Sequence, residues 1–578
     1  MAKRNGPAHV VTTTRRYKGK VYKTHLLRRS YREGDKVKNE TLGNLSHLPD
    51  HTIELIRGSL SGTTYVEADS VFKVITSRLH GQVKAVLSAM KRLDMEHLIA
   101  SRPCRERNLV LAMVAARVLR PASKLATTRW WHNTTLPQLL EVEDADEDDL
   151  YDAMDWLLKR QGRIEKKLAG RHLEEGGLVL YDLSSTYFEG KTCPLAAWGK
   201  STDGKKGKLQ VNFGLIADER GCPVAVSVYE GNTGDSTTLL PRVEKVRDSF
   251  GIHEMVLVGD RGMISQKQID KLKQLEDIYW ITALRSKTIR KLMDSGAIQL
   301  DLFDERNLFE ITHPDYPGER LVACRNPQLA KLRAGKREDL LAATTRELEK
   351  VRSMVARGQL KDEDKIGVRV GKVINKYKVA KHFVLDIQKG SFDFRVDKEK
   401  VAAEAALDGI YVIRTSLPEQ RMDADDTVRS YKDLTRVERA FRSLKTIDLH
   451  VRPIGHRKED RVRAHIFLCM LAYYVQWHMI EALRPLLFCD EDQEAKKTRD
   501  AVAPAKRSPQ ALKKIQSKTL DDGTVVESFR TLLEYLGTIV RNTCQTENAA
   551  EYEPTFEVIT TPDSKQRRAL DLIEAIEM

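Results

Sequence analysis

Residues 178–284 carry the feature that most limits the possible folds. Short apolar runs at 178–181, 209–217, 222–229, 255–258 and 278–284 are separated by a turn at 218–221 and by helical patterns near 237–247 and 266–275. Three strands, a helix, a strand, a helix and a strand predict a mixed α/β sheet covered by helices. After residue 284 the rhythm breaks. Residues 285–408 hold a charged helical stretch at 338–359 and a hairpin pattern at 382–396, too much structure for a loop, so an inserted domain is expected. A strand pattern resumes at 409–414, and helical patterns follow at 425–445 and 459–483.

A chain of 578 residues is too long for one domain core, and 41% hydrophobic with 31% charged residues is the balance of a folded, solvated protein. The longest apolar run, 466–475, is flanked by Arg463, His465, Gln476 and His478 and reads as a buried helix instead of a membrane span. The basic N-terminus has no apolar run behind it, so a cytoplasmic protein with no membrane partner is expected. Seven cysteines, none in a CxxC pair, predict reduced thiols and neither a disulfide frame nor a zinc cluster.

The net charge is +14, and the excess is uneven: residues 1–50 hold 12 Lys/Arg against 4 Asp/Glu, and residues 331–380 hold 14 against 7. Such clusters attract polyanions, and nucleic acid is the first partner to consider. Residues 11–45 alternate β-prone and polar residues around turns at 18–20 and 33–36, which predicts an antiparallel ribbon carrying Arg15, Arg16, Arg28, Arg29 and Arg32. Val71, Val74, Ile75 and Leu79, then Val83, Val86 and Leu87, are spaced for a helix face, so helices are expected from about residue 71 to 119. The acidic run 141–149 precedes an apolar period and reads as a solvated helix start, where negative charge meets the helix dipole. Residues 490–523 read as a linker, with one last helix near 525–539 and a polar tail.

Two aspartates, Asp182 and Asp260, end separate apolar strands, where a carboxylate is poorly housed. Either one alone is a turn or cap; the pair asks for another explanation. On the helical pattern near 431–445, Tyr431, Glu438 and Lys445 recur every seven residues and share one stripe. Three carboxylates from two strands and a helix suit two divalent cations, one activating a water or 3′-hydroxyl and one stabilising the leaving oxygen of a phosphodiester. Hard oxygen donors favour Mg²⁺, with Mn²⁺ as its substitute. No phosphate-binding loop or dinucleotide fingerprint sits between a strand and a helix. His456, His465 and His478 could suggest another metal site, but His465 lies on an apolar helix, where a satisfied core histidine is commoner.

The order Asp182, then Asp260-Arg261-Gly262, an insertion, and a Tyr431…Glu438…Lys445 helix resembles the Asp-Asp-Glu (DDE) transposases of bacterial insertion sequences, in particular the large "IS four" type superfamily. The resemblance runs from residue 178 to about 483 and includes the loop 456–461. It implies a ribonuclease-H-like catalytic core at 178–284 and 409–487 around an insertion at 285–408, behind a ribbon (1–60) and a helical DNA-binding region (61–177) and ahead of a linker and helical end (488–578). It implies that Asp182, Asp260 and Glu438 are catalytic metal ligands, and that Tyr431 and Lys445 hold transposon-end DNA. Arg261, Arg442, His456 and Arg457 join the ribbon arginines as expected DNA contacts. The family carries Arg where this chain has Leu434, so Arg436, Arg439 or Arg442 would have to supply that charge. A homodimer on paired transposon ends, target DNA as second substrate, and a nucleoid location in bacteria are further implications. Two alternatives stay open: a ribonuclease-H-like cellular nuclease, and a catalytically inactive DNA-binding descendant.

Overall fold

The computed structural model of the chain describes all residues except 1–5, 35, 64, 66–71, 203, 206, 300–302, 304–306, 493–499, 504, 505, 547–554 and 578. The chain forms two compact units, Met1–Ser77 with Arg541–Ile559, and Arg78–Val540 with Thr560–Met578.

In the smaller unit, β1 (Ala8–Tyr17), β2 (Lys20–Glu33) and β3 (Lys36–Asn44) make an antiparallel sheet in that order. The β1–β2 turn needs two left-handed residues, and Lys18 (φ 48°) and Gly19 (φ 77°) supply them. Asp35, in the second expected turn, lies outside the described residues. The register pairs His9 with Arg28 and Arg15 with Tyr22, so Arg15 and Arg28 share one face while Arg16 and Arg29 share the other. The ribbon is as expected, with its arginines divided between two faces. Residues 72–79 are a strand, β4 (Phe72–Leu79), and not the predicted helix start; Val71 is outside the described residues. The β-branched Val74 and Ile75 favour an extended backbone, and β4 joins strands Val540–Thr546 and Phe556–Ile559 in a second sheet. These last two strands, with helices Pro509–Ser517 and Ser564–Glu574, replace much of the expected linker and polar tail. Asp563 closes a capping box at the start of the last helix, a local signal that composition hides.

The larger unit is built on an eight-stranded sheet. Its strands are β5 (Leu178–Tyr187), β6 (Gln210–Ala217), β7 (Pro223–Glu230), β8 (Met255–Val258), β9 (Ile278–Ala283), β10 (Leu308–Ile311), β11 (Arg320–Arg325) and, beyond the hairpin β12 (Phe383–Gln388) and β13 (Ser391–Val396), β14 (Ile410–Thr415). The order is β10-β11-β14-β9-β8-β5-β6-β7, with β5, β8 and β9 parallel and the other pairings antiparallel. Two strands from the span expected to be an insertion, β10 and β11, therefore belong to the main sheet. The part that builds its own core is smaller: helices Pro327–Ala356 and Glu363–Tyr377 and the β12–β13 hairpin enclose Leu348, Val351, Ile366, Val370, Phe383 and Phe392. Periodicity could not show which strand pairs with which.

The helices expected to form a separate region at 61–177 share the core of the sheet from Gly81 onward. Helix Arg105–Leu119 is buried on every side from Leu109 to Leu119, and it packs with helix Glu147–Leu158 against helix Glu459–Ala482, itself buried on nearly all faces. A helix apolar all round cannot be a surface reader and must be enclosed. The acidic run is the expected helix start: Asp146 and Asp149 close a capping box, and Arg105 reaches Asp144 and Asp149. Among the described residues, no helix is long and apolar enough to cross a membrane.

Candidate active site

Sheet register brings the first two aspartates together. In the parallel pair β5–β8, Leu178 lies opposite Val256 and Leu180 opposite Val258. The same offset, carried two residues further, sets Asp182 level with Asp260 on the same face. Asp182 does not end its strand, as the sequence suggests; β5 runs on to Tyr187 because β6 pairs with it there, Asp182 opposite Leu215. Beyond Val258 β8 has ended, and Asp260 turns back so that its Oδ1 accepts from the backbone N–H groups of Gly262 (2.9 Å) and Met263 (2.7 Å). Oδ1 of Asp182 accepts from the N–H of Leu183 at 2.8 Å.

Glu438 comes from a helix that is interrupted. Residues Ala424–Lys432 form one helix and Leu434–Arg442 the next, and Ser443–Ile447 form a wider π-helical turn. Tyr431, Glu438 and Lys445 thus sit on three consecutive segments instead of one straight stripe. The buried face of the middle segment, Leu434, Val437, Ala440 and Phe441, leaves Glu438 exposed. Leu434 is core, which explains how an apolar residue stands at that position.

The electrostatics tie the four segments to one place. Burial pushes the Asp182 carboxyl up to about 7, and the negative charges of Asp260, Glu438 and Asp235 push the same way against the Leu183 N–H. Burial also raises the Tyr431 hydroxyl, with Asp260 and Glu438 adding to it and Arg261 opposing. No lysine or arginine among the described residues forms an ion pair with Asp182, Asp260 or Glu438. A set of converging carboxylates without cationic partners is costly unless something positive completes it, and its hard oxygen donors suit divalent cations.

A stability prediction follows from the raised Asp182 carboxyl. Its contribution is fully present below the unfolded value of 3.8 and is lost as pH rises through about 7. With metal removed by chelator, Asp182→Asn should therefore melt above the wild type at pH 8, by roughly 1–3 °C, and should match it near pH 4. An equal offset at both pH values would show that the carboxyl is not perturbed.

Lys445 is buried, and its ammonium donates to the hydroxyls of Ser184, two residues along β5 from Asp182, and Thr202. Arg261 and Arg442 are exposed, as is Arg457. Arg436 pairs with Asp433 and donates to the Glu219 carbonyl at 2.7 Å, which leaves exposed Arg439 and Arg442 nearer the expected role. His456 packs edge-on to the Tyr151 ring and beside His465, and burial lowers it to about 4, so it faces inward and is neutral. His465 is a buried core histidine, as the sequence predicts, with Nε2 3.1 Å from the Val451 carbonyl, and His478 is buried as well. His478 does meet Cys222 and His172, but both ring nitrogens of His172 are already engaged, with the Tyr474 hydroxyl at 3.0 Å and Arg220 at 3.3 Å. All seven cysteines are free. Sequence reasoning missed Asp235; the signal was an aspartate following a strand end, as at Asp260.

The family defined as "Transposase DDE domain" matches residues 178–475, more than half of the chain, and the span covers all three carboxylates. The chain belongs to the DDE transposases. Its residues 10–65 also match the "IS1634 family transposase, N-terminal domain", so this DDE transposase is of the insertion-sequence type. It is a DNA transposase, an enzyme that acts on DNA, and the family implies dependence on a divalent metal. Curated proteins gave no match. Among solved structures, a cryo-EM structure of the piggyBac transposase synaptic complex with hairpin DNA is similar at 10% identity and a TM-score of 0.32, covering 77% of this chain and 87% of that one.

Proposed function

We propose that this transposase binds the terminal inverted repeats of an insertion sequence and performs metal-dependent cleavage and strand transfer, moving the element by cutting and pasting. The observation that supports it most is the convergence of Asp182, Asp260 and Glu438, with no cationic side chain paired to them among the described residues, at the middle of a sheet with three antiparallel strands leading into parallel ones. That strand order is the basis for reading the core as ribonuclease-H-like. The three carboxylates would hold two Mg²⁺ ions, with Mn²⁺ as substitute; such a pair activates the attacking oxygen and stabilises the leaving one. Around them, Asp260 is fixed by two backbone N–H groups and Asp182 by its place in the strand, so the donors are held before substrate arrives. Lys445 holds the Ser184 edge of β5, and Tyr431 and Arg261 border the same carboxylates, in place to orient a bound phosphate. We read the protein as a homodimer on paired ends that then captures target DNA, working at the bacterial nucleoid in the cytoplasm.

The basic ribbon, within the span 10–65, is the proposed end-binding element. Replacing Arg15 and Arg28, which share a face, by alanine in the full-length chain should weaken end binding and make its dependence on salt shallower, by about one unit of log–log slope for each phosphate that is no longer neutralised. The pair Arg16 and Arg29, on the opposite face, should change the slope less if one face of the ribbon lies on the duplex. Filter-binding titrations across salt concentrations measure this. Equal, unchanged slopes for both pairs would remove the ribbon from the DNA interface.

A further inference from the structure

Asp235 stands at the start of a short turn, Asp235–Thr238, that follows β7 and leads into helix Leu239–Glu244. One buried hydroxyl fixes that turn against the catalytic strands. Thr238 Oγ1 donates to the Asp235 carbonyl at 2.8 Å, accepts from the Tyr181 hydroxyl at 2.9 Å, and lies 3.7 Å from the Met263 sulfur. Tyr181 immediately precedes Asp182, and Met263 is three residues past Asp260. The segments carrying three aspartates are therefore pinned to a single atom.

The side chains converge as well as the backbones. A Cβ built on Gly262 would lie 3.3 and 3.5 Å from the two carboxylate oxygens of Asp260 and 3.8 Å from Oδ2 of Asp235. The two carboxylates flank one small space, which stays open because residue 262 has no side chain. Asp235 also adds negative potential at Asp182, and Asp260 does so at Asp235, where the exposed Lys200 opposes it. A fourth negative group carried here by a turn whose Asp235 backbone carbonyl accepts from Thr238 is electrostatically unfavourable in the metal-free protein, and a divalent cation removes that cost.

We infer that Asp235 is a fourth carboxylate of the metal centre, on its Asp260 side. The inference rests on the reading of Asp182, Asp260 and Glu438 as metal ligands. It assigns Asp235 to setting how tightly the cation is held, through its charge and its orientation toward the space beside Gly262. Carboxylates that support a metal site typically change its affinity by about 10–100-fold when removed.

The test uses the full-length chain and Mn²⁺ as the probe, with binding followed by the loss of the free-ion electron paramagnetic resonance signal and with cleavage of labelled end DNA measured across Mn²⁺ concentrations. Asp235→Asn should weaken Mn²⁺ binding about 10-fold or more, raise the Mn²⁺ needed for half-maximal cleavage by the same factor, and lose less rate as Mn²⁺ is raised. Asp235→Glu should recover part of the affinity. Gly262→Ala, which changes no charge but places a methyl between the two carboxylates, should also raise the Mn²⁺ requirement, and it provides an independent test should Asp235→Asn fail to fold. Unchanged Mn²⁺ binding in folded Asp235→Asn, or a rate loss equal at every Mn²⁺ concentration, would overturn the inference. Failure of the underlying reading is separable: Asp182→Asn would then bind Mn²⁺ as the wild type does.

Discussion

Asp182→Asn, Asp260→Asn and Glu438→Gln are each expected to abolish both DNA cleavage and strand transfer, by at least about 10³-fold, equivalent to roughly 4 kcal/mol of lost transition-state stabilisation. Each amide is nearly the size of the acid it replaces but carries no charge to hold a divalent cation. The same ions would serve every phosphoryl-transfer step, so no step should survive selectively. The fold should persist. Asp260 keeps an oxygen to accept from Gly262 and Met263, Glu438 is exposed, and the Asn at 182 relieves a buried charge. Purified variants assayed on labelled end DNA with Mg²⁺ or Mn²⁺, each with a melting curve and a metal-free DNA-binding measurement, decide it. Normal cleavage by a folded variant would take that residue out of the triad, and a wild type inactive with either metal would favour a descendant that binds DNA without cutting it.

The second large effect concerns stability. Arg414 on β14 and Glu319, just ahead of β11, form a buried ion pair in which Nη2 donates to Oε1 at 2.8 Å and Nε donates to Oε2. Lys273 lies 3.0 Å from Glu319 as a second cation, and the guanidinium lies 4.8 Å from the centre of the Tyr316 ring. Arg414→Met should destabilise the larger unit by about 3–5 kcal/mol, because it leaves a buried carboxylate short of its main partner. The double variant with Glu319→Leu should be less destabilised than Arg414→Met alone, since an apolar pair needs no compensation. Despite the opposing effect of burial, Arg414 and Lys273 hold the Glu319 carboxyl below its usual range. A depressed carboxyl stabilises the fold above its unfolded value and loses that contribution as pH falls through the folded one, so wild type and variant should converge in acid. Urea unfolding at pH 7 and pH 3 measures both effects; a double variant no more stable than Arg414→Met would mean that the pair is not buried in solution.

Much of the candidate site was legible because its signals are local. Short apolar runs marked β5, β8, β9 and β14, and an acidic residue in or just beyond such a run stood out at Asp182 and Asp260, whatever the rest of the chain does. The heptad spacing of Tyr431, Glu438 and Lys445 was visible too, although a break after Lys432 and a π-helical turn from Ser443 distribute them over three segments. Periodicity describes one segment against its own neighbours and is blind to such breaks when the apolar face continues across them.

What the sequence by itself determined was therefore the succession of elements from β5 to β9, the basic ribbon, and a candidate triad whose residue types suit only a narrow chemistry. Pairing was left to the tertiary structure. β10 and β11 joined the main sheet although 84 residues separate β11's last residue Arg325 from the strand beside it, which starts at Ile410. The helices from Gly81 to His172 merged into the core of that sheet, because a helix buried on every side, as Arg105–Leu119 is from Leu109 onward, can be covered only by partners distant in sequence. Asp235 became a neighbour of Asp260 through Thr238, Tyr181 and the bare Gly262, which belong to segments that share no local pattern. Local sequence sets dihedral preference and amphipathic face, but which faces meet depends on interactions between remote segments, and those exist only once the chain has folded.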